Sequence, residues 1–148
     1  MAVAIQRDVI LGYSAQQMVD LVNDVAAYPE FVPYCQGSEV LLDSSEVIEA
    51  RLMLAKGVMT QSFATRNTLQ ATDDGGYHIE MALLDGALRN FNGSWTFHAL
   101  DTQACKVSLA VSFELMSGLG SFALKPLFDK AATQLVDAFC NRAKQIYG

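Results

Sequence analysis

Cys105-Lys106-Val107-Ser108-Leu109-Ala110-Val111-Ser112-Phe113-Glu114-Leu115 alternates without a break. Val107, Leu109, Val111, Phe113 and Leu115 fall on one side, and Lys106, Ser108, Ala110, Ser112 and Glu114 on the other. A period of two with one polar side is a strand that buries a single face. Ser117-Gly118-Leu119-Gly120 ends it, and from about Ser121 to Ile146 the period changes. Leu124, Leu127, Phe128, Ala131, Leu135, Ala138, Phe139 and Ile146 recur at three- and four-residue steps, one apolar stripe along a long helix. Pro126 comes early enough to sit near the first turn of that helix or to kink its start.

Upstream of this pair the same strand signature repeats. Strand-length runs fall at Glu39–Leu42, Val47–Ala55, Val58–Gln70, Tyr77–Leu84 and Leu88–Leu100. Between them lie Asp43-Ser44-Ser45, Lys56-Gly57, Asp73-Asp74-Gly75-Gly76, Asp85-Gly86 and Asp101-Thr102-Gln103, which carry turn chemistry. The pattern predicts an antiparallel meander. At the N-terminus Val3 to Leu11 also alternates, and Gly12 stops it. Ser14 is placed to cap a helix reaching Asn23, and a second short helix from about Asp24 should end near Pro29 or Pro33. The fold class expected is α+β: a curved antiparallel sheet wrapped around a long C-terminal helix, with two short helices after the first strand. Residues 1–148 read as one domain.

Composition narrows the function classes. Of 148 residues 51% are apolar and only 18% charged. A chain this apolar either packs a large core or lines an internal space with the excess. No run of eighteen apolar residues exists to cross a membrane. The opening Met1 to Leu11 has no basic leader and reads as the start of a cytoplasmic protein. A net charge of −6 argues against a DNA-binding protein or general nucleic-acid binder. The charge is uneven, and residues 121–148 are the one net-positive stretch, through Lys125, Lys130, Arg142 and Lys144. Cys35, Cys105 and Cys140 have no CxxC spacing, so neither a disulfide framework nor a zinc site is indicated.

Catalytic chemistry finds little to work with. His78 and His98 fall on the polar side of their strands, opposite Ile79 and Phe97, and two histidines do not make a metal site. The glycines lack phosphate-loop spacing. Glu49 and Arg51 would be an acid/base pair only if both faced inward. The expectation is a non-enzyme with no catalytic residues, no metal and no resident cofactor. The apolar excess carries more. Met53, Phe63, Met81, Trp95, Phe97, Phe113, Leu124, Phe128 and Leu135 should line one internal space, with Tyr28 and Phe31 of the Tyr28-Pro29-Glu30-Phe31 corner at its mouth. Methionines among aromatics suit a cavity that adapts to an apolar guest, and they suit a plain core as well.

Several motifs carry a family likeness. Leu21-Val22-Asn23-Asp24-Val25 is followed by Tyr28-Pro29-x-Phe31-x-Pro33-x-Cys35. Further on come Phe63-x-Thr65-Arg66-Asn67, Gly93-x-Trp95-x-Phe97, Phe113-Glu114 and the closing Phe139-x-x-Arg142-Ala143-Lys144. Together they resemble, over essentially the whole chain, the coenzyme Q-binding, polyketide cyclase-like branch of the START superfamily. The bacterial ribosome association toxin members are the nearest match. The resemblance implies a helix-grip fold around a hydrophobic cavity, without catalytic residues. It implies two candidate roles. One is binding of ubiquinone or another isoprenoid lipid in support of respiration. The other is association with the large ribosomal subunit, blocking subunit joining, for which Lys125, Lys130, Arg142 and Lys144 are the candidate contact residues.

Overall fold

Seven strands form one antiparallel sheet in the order β1-β7-β6-β5-β4-β3-β2. In the computed structural model, which describes residues 2–86, 88–115 and 121–148 (backbone alone at 2 and 121–124), they are β1 (Ala2–Leu11), β2 (Cys35–Asp43), β3 (Val47–Lys56), β4 (Met59–Ala71), β5 (Tyr77–Gly86), β6 (Leu88–Asp101) and β7 (Ala104–Leu115). Helix α1 covers Ala15–Asn23, α2 is a four-residue turn of helix at Tyr28–Phe31, and α3 runs Ser121–Tyr147. The meander from β2 to β7 returns the chain beside β1, which pairs with β7 from Ala2↔Glu114 to Leu11↔Cys105. The expected architecture is observed.

Local chemistry explains the joints. Ser14 caps α1 reciprocally with Gln17: Gln17 N–H donates to Ser14 Oγ at 3.1 Å, and Ser14 N–H to Gln17 Oε1 at 2.9 Å. Pro29 does not end the second helix, as its position suggested; it occupies the first turn of α2, where its missing N–H costs nothing. The stop comes at Val32, extended at ψ 124° ahead of Pro33. Tyr147 Oη donates to the Gln17 carbonyl at 3.1 Å and ties the end of α3 to α1. On β1, Arg7 reaches over the sheet rim to Asp137 of α3 at 2.9 Å and donates to the Thr133 carbonyl at 3.1 Å. Helix α3 is thus fastened to both the sheet edge and the N-terminal helix, and the core lies between it and the concave face.

Two departures from regular pleating aim side chains at that core. In β6 the register shifts between Arg89 and Asn92, with Asn90 in the left-handed region at φ 52°. Leu88 and Phe91, three residues apart, therefore both turn inward. In the β4–β5 pair the shift lies beside Ala64 and Thr65, and β5 ends on Gly86 at φ 131°. A Cβ there would stand 2.7 Å from the Cβ of Phe63, so only glycine lets the strand close on Phe63.

Candidate functional site

Between the concave face and α3 lies a cavity of about 130 Å³. From the sheet come Leu52 and Leu54 of β3, Phe63, Thr65 and Asn67 of β4, Ile79 and Met81 of β5, Leu88, Phe91 and Trp95 of β6, and Val111 and Phe113 of β7. Helix α3 covers them with Phe128, Ala131, Ala132 and Leu135. The helical residues follow the three- and four-residue spacing of the stripe. At Ala131 and Ala132 the helix presents only methyl groups to the space.

Aromatic rings close the ends. Phe128 meets Phe113 edge-on at 5.6 Å and Phe63 at 6.0 Å, while Phe91 stacks on Phe113 at 6.3 Å. At the other end Phe139 packs edge-on against Trp95 and Tyr28, both at 5.4 Å. Tyr28 presents its ring to the cavity and donates its hydroxyl to the Val22 carbonyl. Burial pushes that phenol well above its ordinary value, so it stays protonated.

The structure brings most of the expected residues together. Tyr28, Phe63, Met81, Trp95, Phe113, Phe128 and Leu135 line the cavity, while Leu124 lies outside the described side chains. Met53 is a correction: it is 45% exposed on the outer face, and its neighbours Leu52 and Leu54 point in. Leu52-Met53-Leu54-Ala55 is apolar throughout, so alternation alone could not assign the faces there. Phe97 points inward but beyond the cavity; it is fully buried and stacked on Trp95 at 5.9 Å. Its cross-strand partner Tyr77 bonds Gln16, which puts this end of β6 under α1. Phe31 is not among the residues that line the cavity. It packs on Tyr28 and Phe139 beneath the Arg142 guanidinium, 4.9 Å from its ring centre.

The polar candidates resolve as clearly. Glu49 and Arg51 both face outward, Glu49 bonded to Arg66 at 3.1 Å and Arg51 to Asp85 at 2.9 Å. His78 bonds Thr96 and Glu80 on the outer face, and His98 contacts Asp74. Asp74 is a turn residue: it accepts from Thr72 Oγ1, from the Gly76 N–H at 3.0 Å and from His98, and the first two bonds do most to hold its carboxyl below the usual range. The four C-terminal cations do not form one patch. Arg142 is only 18% exposed and 3.9 Å from Glu30, and Lys125 lies 3.9 Å from Asp129. Lys130 and Lys144 are exposed but stand about 21 Å apart at roughly 1.5 Å per residue. Lys130 lies instead beside Lys56 and lowers that ammonium below the usual lysine value.

Three features were not singled out from sequence. Leu52, Leu88 and Phe91 complete the apolar wall. Thr65 is the single buried polar side chain among the described residues, and Asn67 Oδ1 is buried without a hydrogen-bond partner. Both belong to the Thr65-Arg66-Asn67 motif, and their alternation with exposed Arg66 was the available signal.

Residues 11–140 match the family described as polyketide cyclase / dehydrase and lipid transport. The chain is 46% identical over 148 residues, the whole of both chains, to the ribosome association toxin RatA of Pseudomonas aeruginosa. It is 31% identical over 143 residues to the mitochondrial coenzyme Q-binding protein COQ10 homolog B of Xenopus laevis, covering 94% of this chain and 57% of that one. Among solved structures, the Zhui aromatase/cyclase from a Streptomyces species superposes with a TM-score of 0.80 at 15% identity, over 100% of this chain and 97% of that one. No helix among the described residues is long and apolar enough to cross a membrane.

Proposed function

Since this chain belongs to the polyketide cyclase/dehydrase and lipid transport family, we propose that it is a non-enzymatic, cytoplasmic binding protein whose cavity takes the ring of an apolar small molecule of the ubiquinone or isoprenoid-lipid class. The carrying observation is the apolar, aromatic-walled space of about 130 Å³, which is partly open to solvent. A void of roughly 150 Å³ with apolar walls holds one benzene ring. The space therefore matches one unsubstituted ring at most, and the ring substituents and isoprenoid tail of a quinone extend beyond it. Leu, Met and aromatic walls provide dispersion contacts and ring stacking for such a head group. A cyclase chemistry would need an acid/base pair at the ring; Glu49 and Arg51 are outside, and the Tyr28 hydroxyl is already donated. Native mass spectrometry of protein purified from its own host tests the reading. A co-purified quinone is expected. A bound lipid without a ring, or an empty cavity under conditions that retain lipids, would overturn it.

A second reading is association with the large ribosomal subunit, and its support is the 46% identity over the full chain to a protein named as a ribosome association toxin. The charges that serve it are Lys130, next to Lys56, and exposed Lys144, with Lys125 and Arg142 engaged by their own carboxylates. Reversal of both free lysines (Lys130→Glu with Lys144→Glu) should weaken co-sedimentation with large subunits and flatten its salt dependence, at about one counterion per phosphate contact. Quinone content should not change. Undiminished co-sedimentation would remove these lysines from any ribosomal surface.

A further inference from the structure

The inward row of β4 runs Phe63, Thr65, Asn67, and two of these three are polar in a cavity walled elsewhere by aliphatic and aromatic side chains, of which Tyr28 already donates its hydroxyl to the Val22 carbonyl. Asn67 is flanked by Ile48 on β3 and Met81 on β5, so neither neighbouring strand offers it a partner. Its Oδ1 is buried and unbonded. Thr65, two residues away on the same face, is 8% exposed and flanked by Ala50 and Leu83. Leaving a buried amide oxygen unpaired is destabilising, and an Asn side chain holds both a donor and an acceptor that a ligand can use. Had the space been a plain core, a leucine, which has the same number and branching of side-chain heavy atoms, could occupy the position with no such cost.

We infer that Asn67, with Thr65 beside it, is the hydrogen-bonding anchor of the cavity, and that the ligand carries an oxygen on its buried ring. The ring enters oxygen first toward β4, with its apolar edges against Trp95, Phe113 and Phe128. Its substituent tail points away from β4. This inference deepens the proposed binding function and rests on it. It also sets a selectivity: a ring hydroxyl can donate to Asn67 Oδ1, a ring carbonyl can accept from Asn67 Nδ2, and plain hydrocarbon rings of the same size are not preferred.

Two ring probes differing by one group test it. In p-cresol a hydroxyl replaces one methyl of p-xylene, so size and shape are nearly constant. Binding is measured by titration calorimetry, with emission of Trp95, the chain's one tryptophan and a cavity residue, as second readout. In the parent protein p-cresol gains from Asn67 what it loses on leaving water. In Asn67→Leu that gain is gone, and its affinity relative to p-xylene should fall at least about tenfold. Asn67→Ala should shift the ratio in the same direction, and Thr65→Val by less. An unchanged ratio in both Asn67 variants, with p-xylene still bound, would refute the anchor and leave the cavity as an unselective ring site. Failure of the parent to bind either ring would refute the ligand cavity itself, and the anchor with it.

Discussion

Filling the cavity from the helix side separates a real void from a loosely drawn core. Ala131 is 9% exposed and lines the space from α3. Ala131→Leu adds three carbons, half the number in a benzene ring. A ring-sized void is roughly 150 Å³, so the new side chain would occupy about half of the 130 Å³ available. Burying three carbons is worth about 2.4 kcal/mol at roughly 0.8 kcal/mol each. Off-rotamer strain and small shifts of Phe128 and Leu135 offset about 1–3 kcal/mol of that. The net change in stability should therefore stay within about 1.5 kcal/mol, or roughly 6 °C in melting temperature for a chain of this length. Ring binding should behave very differently, because the remaining space no longer admits six carbons in a plane. A short-tailed ubiquinone, titrated by Trp95 emission, should lose at least about a hundredfold in affinity. The assay pairs that titration with thermal unfolding followed by circular dichroism. A fall of more than about 10 °C would mean that no void stands opposite Ala131. Unchanged quinone affinity in a stable variant would mean that the ring binds elsewhere.

Two further outcomes follow from the backbone and the buried thiols. Gly86→Ala forces an L-residue to φ 131° with its Cβ 2.7 Å from that of Phe63; a loss of about 2–4 kcal/mol is expected in urea unfolding, and an unchanged midpoint would refute the requirement for glycine. Cys105 is fully buried, and burial raises its thiol from 9.0 to about 11. The unfolded chain gives up this proton first, so the contribution is complete below pH 9 and declines as pH rises toward 11, by about 2–3 kcal/mol in all. Stability curves of the parent and Cys105→Ala between pH 8 and 11 should converge accordingly, and parallel curves would show that the buried thiol is not the cause.

What the chain determines locally was legible before any coordinates. The alternation of Val107 to Leu115, the stripe from Leu127 to Phe139, and the Ser14 cap all rest on contacts within a few residues, where periodicity and side-chain chemistry decide the outcome. These were enough for the sheet, the long helix and the general location of the apolar space. The tertiary structure decided the rest, because each remaining feature depends on what lies across the sheet or the helix. Met53 faces outward because the β3–β4 register aligns Leu52 with Phe63 on the inner face, which a four-residue apolar run cannot reveal. Phe91 reaches the cavity only through the irregularity at Asn90. Phe97 belongs to the packing under α1, and Arg142 is drawn onto Phe31 and Glu30 instead of joining a basic surface. Asn67 shows the division most directly. Its face was readable from the exposed Arg66 beside it, but its lack of a partner follows from Ile48 and Met81, which only the folded sheet sets on either side.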